Sequence, residues 1–80
     1  MDGRKLVKMA NEIAAFFAAE PERRVALEGI AGHIKRFWEP RMRTAIFAVL
    51  DAGGDGMSEH VKEALAAHRR VLEPTAVSRS

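Results

Sequence analysis

The densest chemistry in this 80-residue sequence lies in residues 33–43, on both sides of one proline. The basic and aromatic side chains of this segment are His33, Lys35, Arg36, Phe37, Trp38, Arg41 and Arg43. Tryptophan and arginine are enriched at binding hot spots, and arginine pairs with carboxylates and phosphates. The segment therefore predicts a docking surface for an acidic partner or an anionic ligand. The alternative is that Phe37 and Trp38 fill the core while Lys35 and Arg36 are solvated.

The sequence contains no recognisable metal site. It has no cysteine, and its histidines are His33, His60 and His68, none of which pair at a spacing of three or four residues. His68 lies on an apolar helix face, which predicts an interior histidine. Residues 51–62 resemble a calcium loop, but Gly53 and Lys62 occupy positions three and twelve, where oxygen ligands are required. We therefore expect no metal ligand in this chain.

The sequence also lacks a catalytic or nucleotide-binding motif. The glycine-rich stretch 53–56 has no Lys-Ser or Lys-Thr after it and no strand before it, so it predicts a turn rather than a phosphate loop. The serines Ser58, Ser78 and Ser80 lie at a predicted helix cap and in the tail, with no positioned base. We expect no catalytic residue and no cofactor bound by this chain.

Helix-forming residues dominate, and apolar residues recur at helical spacing in four segments. The predicted helices cover residues 4–19, 22–38, 40–52 and 59–72. In helix 1 the apolar stripe comprises Leu6, Met9, Ala10, Ile13, Phe16 and Phe17, and helix 2 repeats this pattern 21 residues later. Similar stripes with a short connection predict an antiparallel hairpin. The sequence thus predicts an all-α fold, a small bundle of four short helices with helices 1 and 2 as this hairpin.

Polar and glycine residues predict the helix ends and the extent of the domain. Pro40 suits the first turn of helix 3, Gly53 a C-terminal cap, and Ser58 the N-cap of helix 4. Asp2 lies where it complements the dipole of helix 1. We expect one helical domain over residues 1–73 and a flexible tail over residues 74–80.

Helix 3 is apolar nearly all round, because Phe47 and Ala48 lie away from the stripe that includes Ile46 and Val49. A short helix of this kind is usually buried on two sides. Phe47 therefore indicates either a surface for a partner or a second copy of the chain, or a central helix whose back is covered by helix 4. The isolated chain is accordingly a candidate homo-oligomer.

Charge and hydropathy limit the classes of partner. The chain has 13 basic and 11 acidic residues, which is a mild excess rather than a basic stripe. Helix 3 offers few groups that could read base edges, so nucleic-acid binding is a distant alternative. No apolar stretch approaches the roughly 20 residues of a membrane span, and the N-terminal segment lacks a secretory pattern. The expected location is the cytoplasm, with no membrane partner.

Three stretches together carry a family resemblance: LVKMANEIAAFF at residues 6–17, IAGHIKRFWEPRMR at residues 30–43 and GGDG at residues 53–56. Over residues 4–67 the chain resembles the delta subunit of the soluble, NAD-dependent, molybdenum-containing formate dehydrogenase of bacteria. The first two stretches are specific in combination, whereas either alone is weak.

The resemblance implies a non-catalytic accessory subunit that supports assembly or stability of a larger enzyme, with a further role in molybdenum cofactor insertion. The implied complex oxidises formate and carries bis-molybdopterin guanine dinucleotide, iron–sulfur clusters, FMN and NAD on other subunits. The implied partner is the large molybdenum-containing catalytic subunit. We expect the face toward that subunit to comprise His33, Lys35, Arg36, Phe37, Trp38, Arg41, Arg43 and Phe47.

Overall fold

The computed structural model describes residues 2–74, so all of the predicted tail over residues 74–80 except Pro74 lies outside this part. The described residues form five helices: α1 (Gly3–Phe17), α2 (Arg23–Phe37), α3 (Pro40–Asp51), α4 (Glu59–Ala67) and α5 (Arg69–Leu72). No strand occurs in residues 2–74. The all-α prediction is confirmed. None of these helices is both long and apolar enough to cross a membrane.

Helix α1 packs against α2, α3 and α4. Helix α2 also packs against α4 and α5. The four-helix bundle and the antiparallel orientation of α1 and α2 stay predictions. The buried apolar residues from α1 and α2 are Leu6, Val7, Ala10, Ala14, Ala26, Leu27, Ile30, Ala31 and Ile34.

The prediction of which α1 residues face inward was partly wrong. Met9 and Phe16 were assigned to the inner stripe, but they are 41% and 77% exposed. Val7 and Ala14 are buried in their place. The reason is that apolar residues cover a wider arc of α1 than one helix–helix contact can bury, so part of the arc remains outside.

The predicted caps are confirmed. The Asp2 carboxylate accepts a hydrogen bond from the backbone N–H of Arg4 at 3.0 Å, and the Ser58 hydroxyl accepts one from Val61 at 3.3 Å. Helix α3 begins at Pro40, as predicted. After α3, Gly53 adopts a φ of 123°, a conformation that favours glycine, and its N–H donates to the carbonyl of Leu50 at 3.0 Å.

Helix 4 was predicted to continue to residue 72, but it breaks at His68. Here the backbone leaves helical geometry at φ −114° and ψ 21°, and α5 starts at the next residue. The break directs Leu72 into the core, where it is fully buried, and leaves Val71 57% exposed. His68 is half-buried at this bend rather than fully interior.

Phe47 is buried, with 1% exposure, so the prediction of a Phe47 surface for self-association was wrong. The guanidinium of Arg69 covers its ring at 4.8 Å from the centroid. Arg69 also donates to both carboxylate oxygens of Asp51, at 2.8 and 2.7 Å, and to Glu73 at 2.6 Å. The residues around α5 therefore cover the side of α3 that carries Phe47. This is the second of the two alternatives in the sequence analysis, a central helix covered by the C-terminal helix.

Two polar contacts connect the remaining elements. The Asn11 side chain donates to the Gly56 carbonyl at 2.9 Å and accepts from the Ser58 N–H at 3.0 Å, which ties α1 to the turn before α4. Arg23 on α2 donates to Glu63 on α4 at 2.7 Å, and this contact lowers the pKa of the Glu63 carboxyl.

Replacing Asn11 with alanine removes both contacts of its side chain with the turn. We expect the Asn11→Ala variant to lose about 1–2 kcal/mol of unfolding free energy, because each hydrogen bond contributes about 1 kcal/mol. Urea unfolding followed by circular dichroism measures this loss. Glu12→Ala, at the next and exposed position, is the matched control and should stay within about 0.5 kcal/mol of wild type. Equal losses in both variants would contradict the role of Asn11.

The hydrogen bonds of Arg69 with Asp51 and Glu73 predict that the free energy of unfolding depends on pH. These hydrogen bonds hold the pKa of the Asp51 carboxyl below its ordinary 3.8 and that of Glu73 below its ordinary 4.5. Because both pKa values are lowered in the folded state, their contribution is present at neutral pH and is lost as the pH falls through them. The stability gap between wild type and Arg69→Gln should therefore be constant above about pH 5 and narrow as the pH falls below it, through the lowered pKa values of the two carboxyls. A gap that is independent of pH in urea titrations would contradict this.

Candidate functional site

Three of the predicted interface residues lie inside the chain. Trp38 is 5% exposed and Phe47 is 1% exposed. Arg43 is 9% exposed, and its Nη1 donates to the carbonyl of Leu72 at 3.0 Å, at the end of α5. These residues therefore do not form an exposed face. Trp38 is buried at the corner between α2 and α3, Phe47 lies further along α3 under Arg69, and Arg43 connects α3 to the end of α5.

The other five predicted residues lie at or near the surface. Lys35, Arg36 and Arg41 are exposed, and Phe37 is 67% exposed. His33 is half-buried, with its ring centroid 4.8 Å from that of Phe37. Lys35 reaches toward α5 and donates to the carbonyl of Val71 at 3.4 Å. The surface part of the predicted face is thus the C-terminal half of α2 with the first turn of α3.

His33 and Phe37 belong to a larger surface feature that the sequence prediction missed. Two adjoining hollows of about 360 and 250 Å³ share Phe17 and His33. We call them together the α1–α2 groove. Its lining comprises Ile13, Phe16 and Phe17 from α1, and Glu28, Gly29, Gly32, His33, Arg36 and Phe37 from α2.

Gly29 allows one wall of the α1–α2 groove to form. The Phe17 ring lies so close to the backbone of Gly29 that a Cβ at this position would collide with ring carbons. The neighbouring Gly32 differs, because a Cβ there meets no other atom within 4 Å. The missing side chain of Gly32 therefore leaves the surface of α2 low and open beside His33.

Aromatic rings form the rim of the α1–α2 groove on both helices. Phe16 and Phe17 are adjacent in sequence and meet edge to face, with centroids 5.1 Å apart. On α2 the His33 and Phe37 rings are tilted by 43° to each other. Such paired rings present a large apolar area in a defined geometry.

The charge at the α2 end of the groove is positive. No carboxylate in residues 2–74 lies within 4.0 Å of the basic groups of Lys35, Arg36 or Arg41. The groove carboxylate, Glu28, has Arg24 at 3.6 Å. Lys35 and Arg36 also lie in the last turn of α2, where they complement the helix dipole.

Residues 2–74 contain no group of three or more His, Cys, Asp or Glu side chains placed to hold a metal ion. A further hollow of about 520 Å³ lies on another side of α1, where Arg4 and Lys8 alternate with Glu12 and Asp55. Compared with this hollow, the α1–α2 groove combines exposed aromatic rings with the exposed basic side chain of Arg36.

One sequence signal could have revealed the contribution of α1 to the groove. Apolar pairs recur along this helix at residues 6–7, 9–10, 13–14 and 16–17. Each pair spans about 100° of the helix, so the apolar arc is wider than one inner stripe. The inner part comprises Val7, Ala10 and Ala14, and the outer part comprises Met9, Ile13 and Phe16.

One of three comparisons with known proteins gives a match. Searches of curated proteins and of solved structures give no match. A protein-family profile, described as "NADH-dependant formate dehydrogenase delta subunit FdsD", matches residues 5–65. This range includes α1, α2, α3 and most of α4, and it contains the whole α1–α2 groove. The chain therefore belongs to the family of NADH-dependent formate dehydrogenase delta subunits.

Proposed function

We propose that the chain is a non-catalytic accessory subunit that supports assembly or stability of an NAD-dependent, molybdenum-containing formate dehydrogenase. The family match over residues 5–65 is the observation that carries this proposal. The amino-acid composition is a second observation that supports it. Because the chain has no cysteine, it lacks the thiolates that hold iron–sulfur clusters.

In this proposal the redox groups belong to other subunits of the complex. These groups are bis-molybdopterin guanine dinucleotide, iron–sulfur clusters, FMN and NAD. The partner of this chain is the large molybdenum-containing catalytic subunit, and the complex works in the bacterial cytoplasm. Binding to the folded partner alone stabilises that partner by mass action, which is how a chain without catalytic groups can raise the amount of active enzyme.

A role in molybdenum cofactor insertion is the finer part of the proposal. Arg36 and Arg41 are exposed, and no carboxylate in residues 2–74 lies within 4.0 Å of either guanidinium. Free guanidinium groups suit the pyrophosphates of a dinucleotide cofactor. Arg43 does not contribute, because it is buried and donates to Leu72.

The test compares the enzyme produced with and without this chain. The other subunits are co-expressed with a tagged copy, and the eluate is analysed for subunits, molybdenum content and formate-dependent NAD reduction. We expect the tag to recover the large subunit, and omission of the chain to lower the yield and heat stability of the active complex. We also expect the Arg36→Glu, Arg41→Glu double variant to lower molybdenum content.

The control for the double variant is Arg70→Glu, a charge reversal at an exposed position on α5. It should leave both recovery and molybdenum content unchanged. A chain that elutes alone, together with an enzyme whose yield and heat stability do not depend on it, would refute the accessory role. Unchanged molybdenum content in the Arg36→Glu, Arg41→Glu complex would refute the insertion role only.

A further inference from the structure

The α1–α2 groove has the properties of a binding site for one segment of another protein. We propose that it receives an acidic amphipathic helix of the large catalytic subunit, whose apolar side enters between the aromatic rims while its carboxylates meet the basic end. This inference rests on the proposed function and adds to it the docking face and the chemistry of the docked segment.

The apolar part of the argument is the exposure of large side chains on one continuous surface. Phe16 and Phe37 are 77% and 67% exposed, and Met9 is 41% exposed. Phe16 lines the groove from α1 and Phe37 from α2, with Phe17 and His33 between them. Contiguous exposed apolar surface of this kind marks interaction sites in folded proteins.

The shape of the groove favours a helix as its occupant. Both walls are α-helices, and residues 2–74 offer no strand edge to which an extended segment could add. Recognition must therefore use side chains, as in complexes where an amphipathic helix lies in an apolar groove. Gly32 leaves the α2 side low, and this gives the backbone of an incoming helix a close approach.

The charges favour an acidic occupant. Residues 35–43 carry four basic side chains and one acidic one, Glu39. Of the basic groups, Arg36 lines the groove, whereas Lys35 donates to Val71 on α5 and Arg43 is buried. No carboxylate in residues 2–74 lies within 4.0 Å of the Arg36 guanidinium. Glu28 on the same wall is offset by Arg24. Carboxylates on the docked helix would complement this end and orient the helix in the groove.

The same charges disfavour a second copy of this chain as the occupant. In a symmetric dimer the same patch of both subunits forms the contact, so Arg36 of both copies would enter it. The carboxylate in the groove lining, Glu28, already has Arg24 at 3.6 Å, so a second copy brings no unpaired carboxylate to Arg36. A segment of another protein with the opposite charge supplies that carboxylate.

The experiment is a titration of the purified, fluorescently labelled chain with formate dehydrogenase prepared from cells that lack this chain. The groove variants are the Phe16→Ser, Phe37→Ser double variant and Arg36→Glu. The matched controls are Val71→Ser and Arg70→Glu on α5, which make the same kinds of change at exposed positions outside the groove. Circular dichroism of each variant checks that its helices are retained.

We expect the double variant to bind at least about 30-fold more weakly, because two hot-spot aromatic rings are lost. Arg36→Glu should bind about 10-fold more weakly and show a smaller dependence on salt. The controls should stay within about twofold of wild type.

The outcomes separate this inference from the proposed function. If wild type binds and the folded groove variants bind equally well, the groove is not the docking face, although the accessory role stands. If wild type does not bind the enzyme at all, the inference fails, whereas the accessory role is decided separately by the yield and heat stability of enzyme produced without the chain. If wild type dimerises and the double variant does not, the groove serves a second copy, and the inference is overturned.

Discussion

The Phe17 ring packs directly on the backbone of Gly29, where the end of α1 meets α2. A Cβ at residue 29 would occupy the space of the ring carbons, so this packing depends on a residue without a side chain. Helix α1 also packs on α3 and α4, and its register against α2 therefore affects most of the core. Phe17 lines both hollows of the groove as well. The core and the candidate docking face thus share one helix–helix contact.

Helix α1 contributes to both the core and the α1–α2 groove, because apolar residues cover a wide arc of its surface. Its inner part, with Val7, Ala10 and Ala14, packs in the core, while Ile13 and Phe16 line the α1–α2 groove. The arginines also divide between the fold and the surface. Arg43 and Arg69 make hydrogen bonds that hold α3 and α5 together, whereas Arg36 and Arg41 are exposed. A small chain can in this way keep its own core and still present an apolar face to a partner.

Local patterns in the sequence were sufficient for the all-α class, the helix starts at Pro40 and Ser58 and the turn at Gly53, because capping and turn chemistry act over a few residues. Side-chain burial was harder to predict. Phe16 was expected inside but is exposed, and for Phe47, which is buried, the sequence could not decide between a partner surface and a covered position, since burial depends on which elements cover each helix. The break at His68 and the closure of α3 by Arg69 arise from long-range contacts that periodicity does not encode. The α1–α2 groove was missed for the same reason, although its α2 residues His33, Arg36 and Phe37 were identified.

The most direct test of the docking face is site-specific cross-linking in the assembled enzyme. The chain has no cysteine, and Glu28 is an exposed residue on the α2 wall of the groove, so Glu28→Cys places a single label at the edge of the groove and leaves the space beside Gly32 open. Arg70→Cys on α5 is the matched control. With a photoreactive maleimide on each variant, we predict a covalent product between residue 28 and the large catalytic subunit, and none from residue 70. A product from residue 70 but none from residue 28 would contradict the docking of that subunit in the α1–α2 groove.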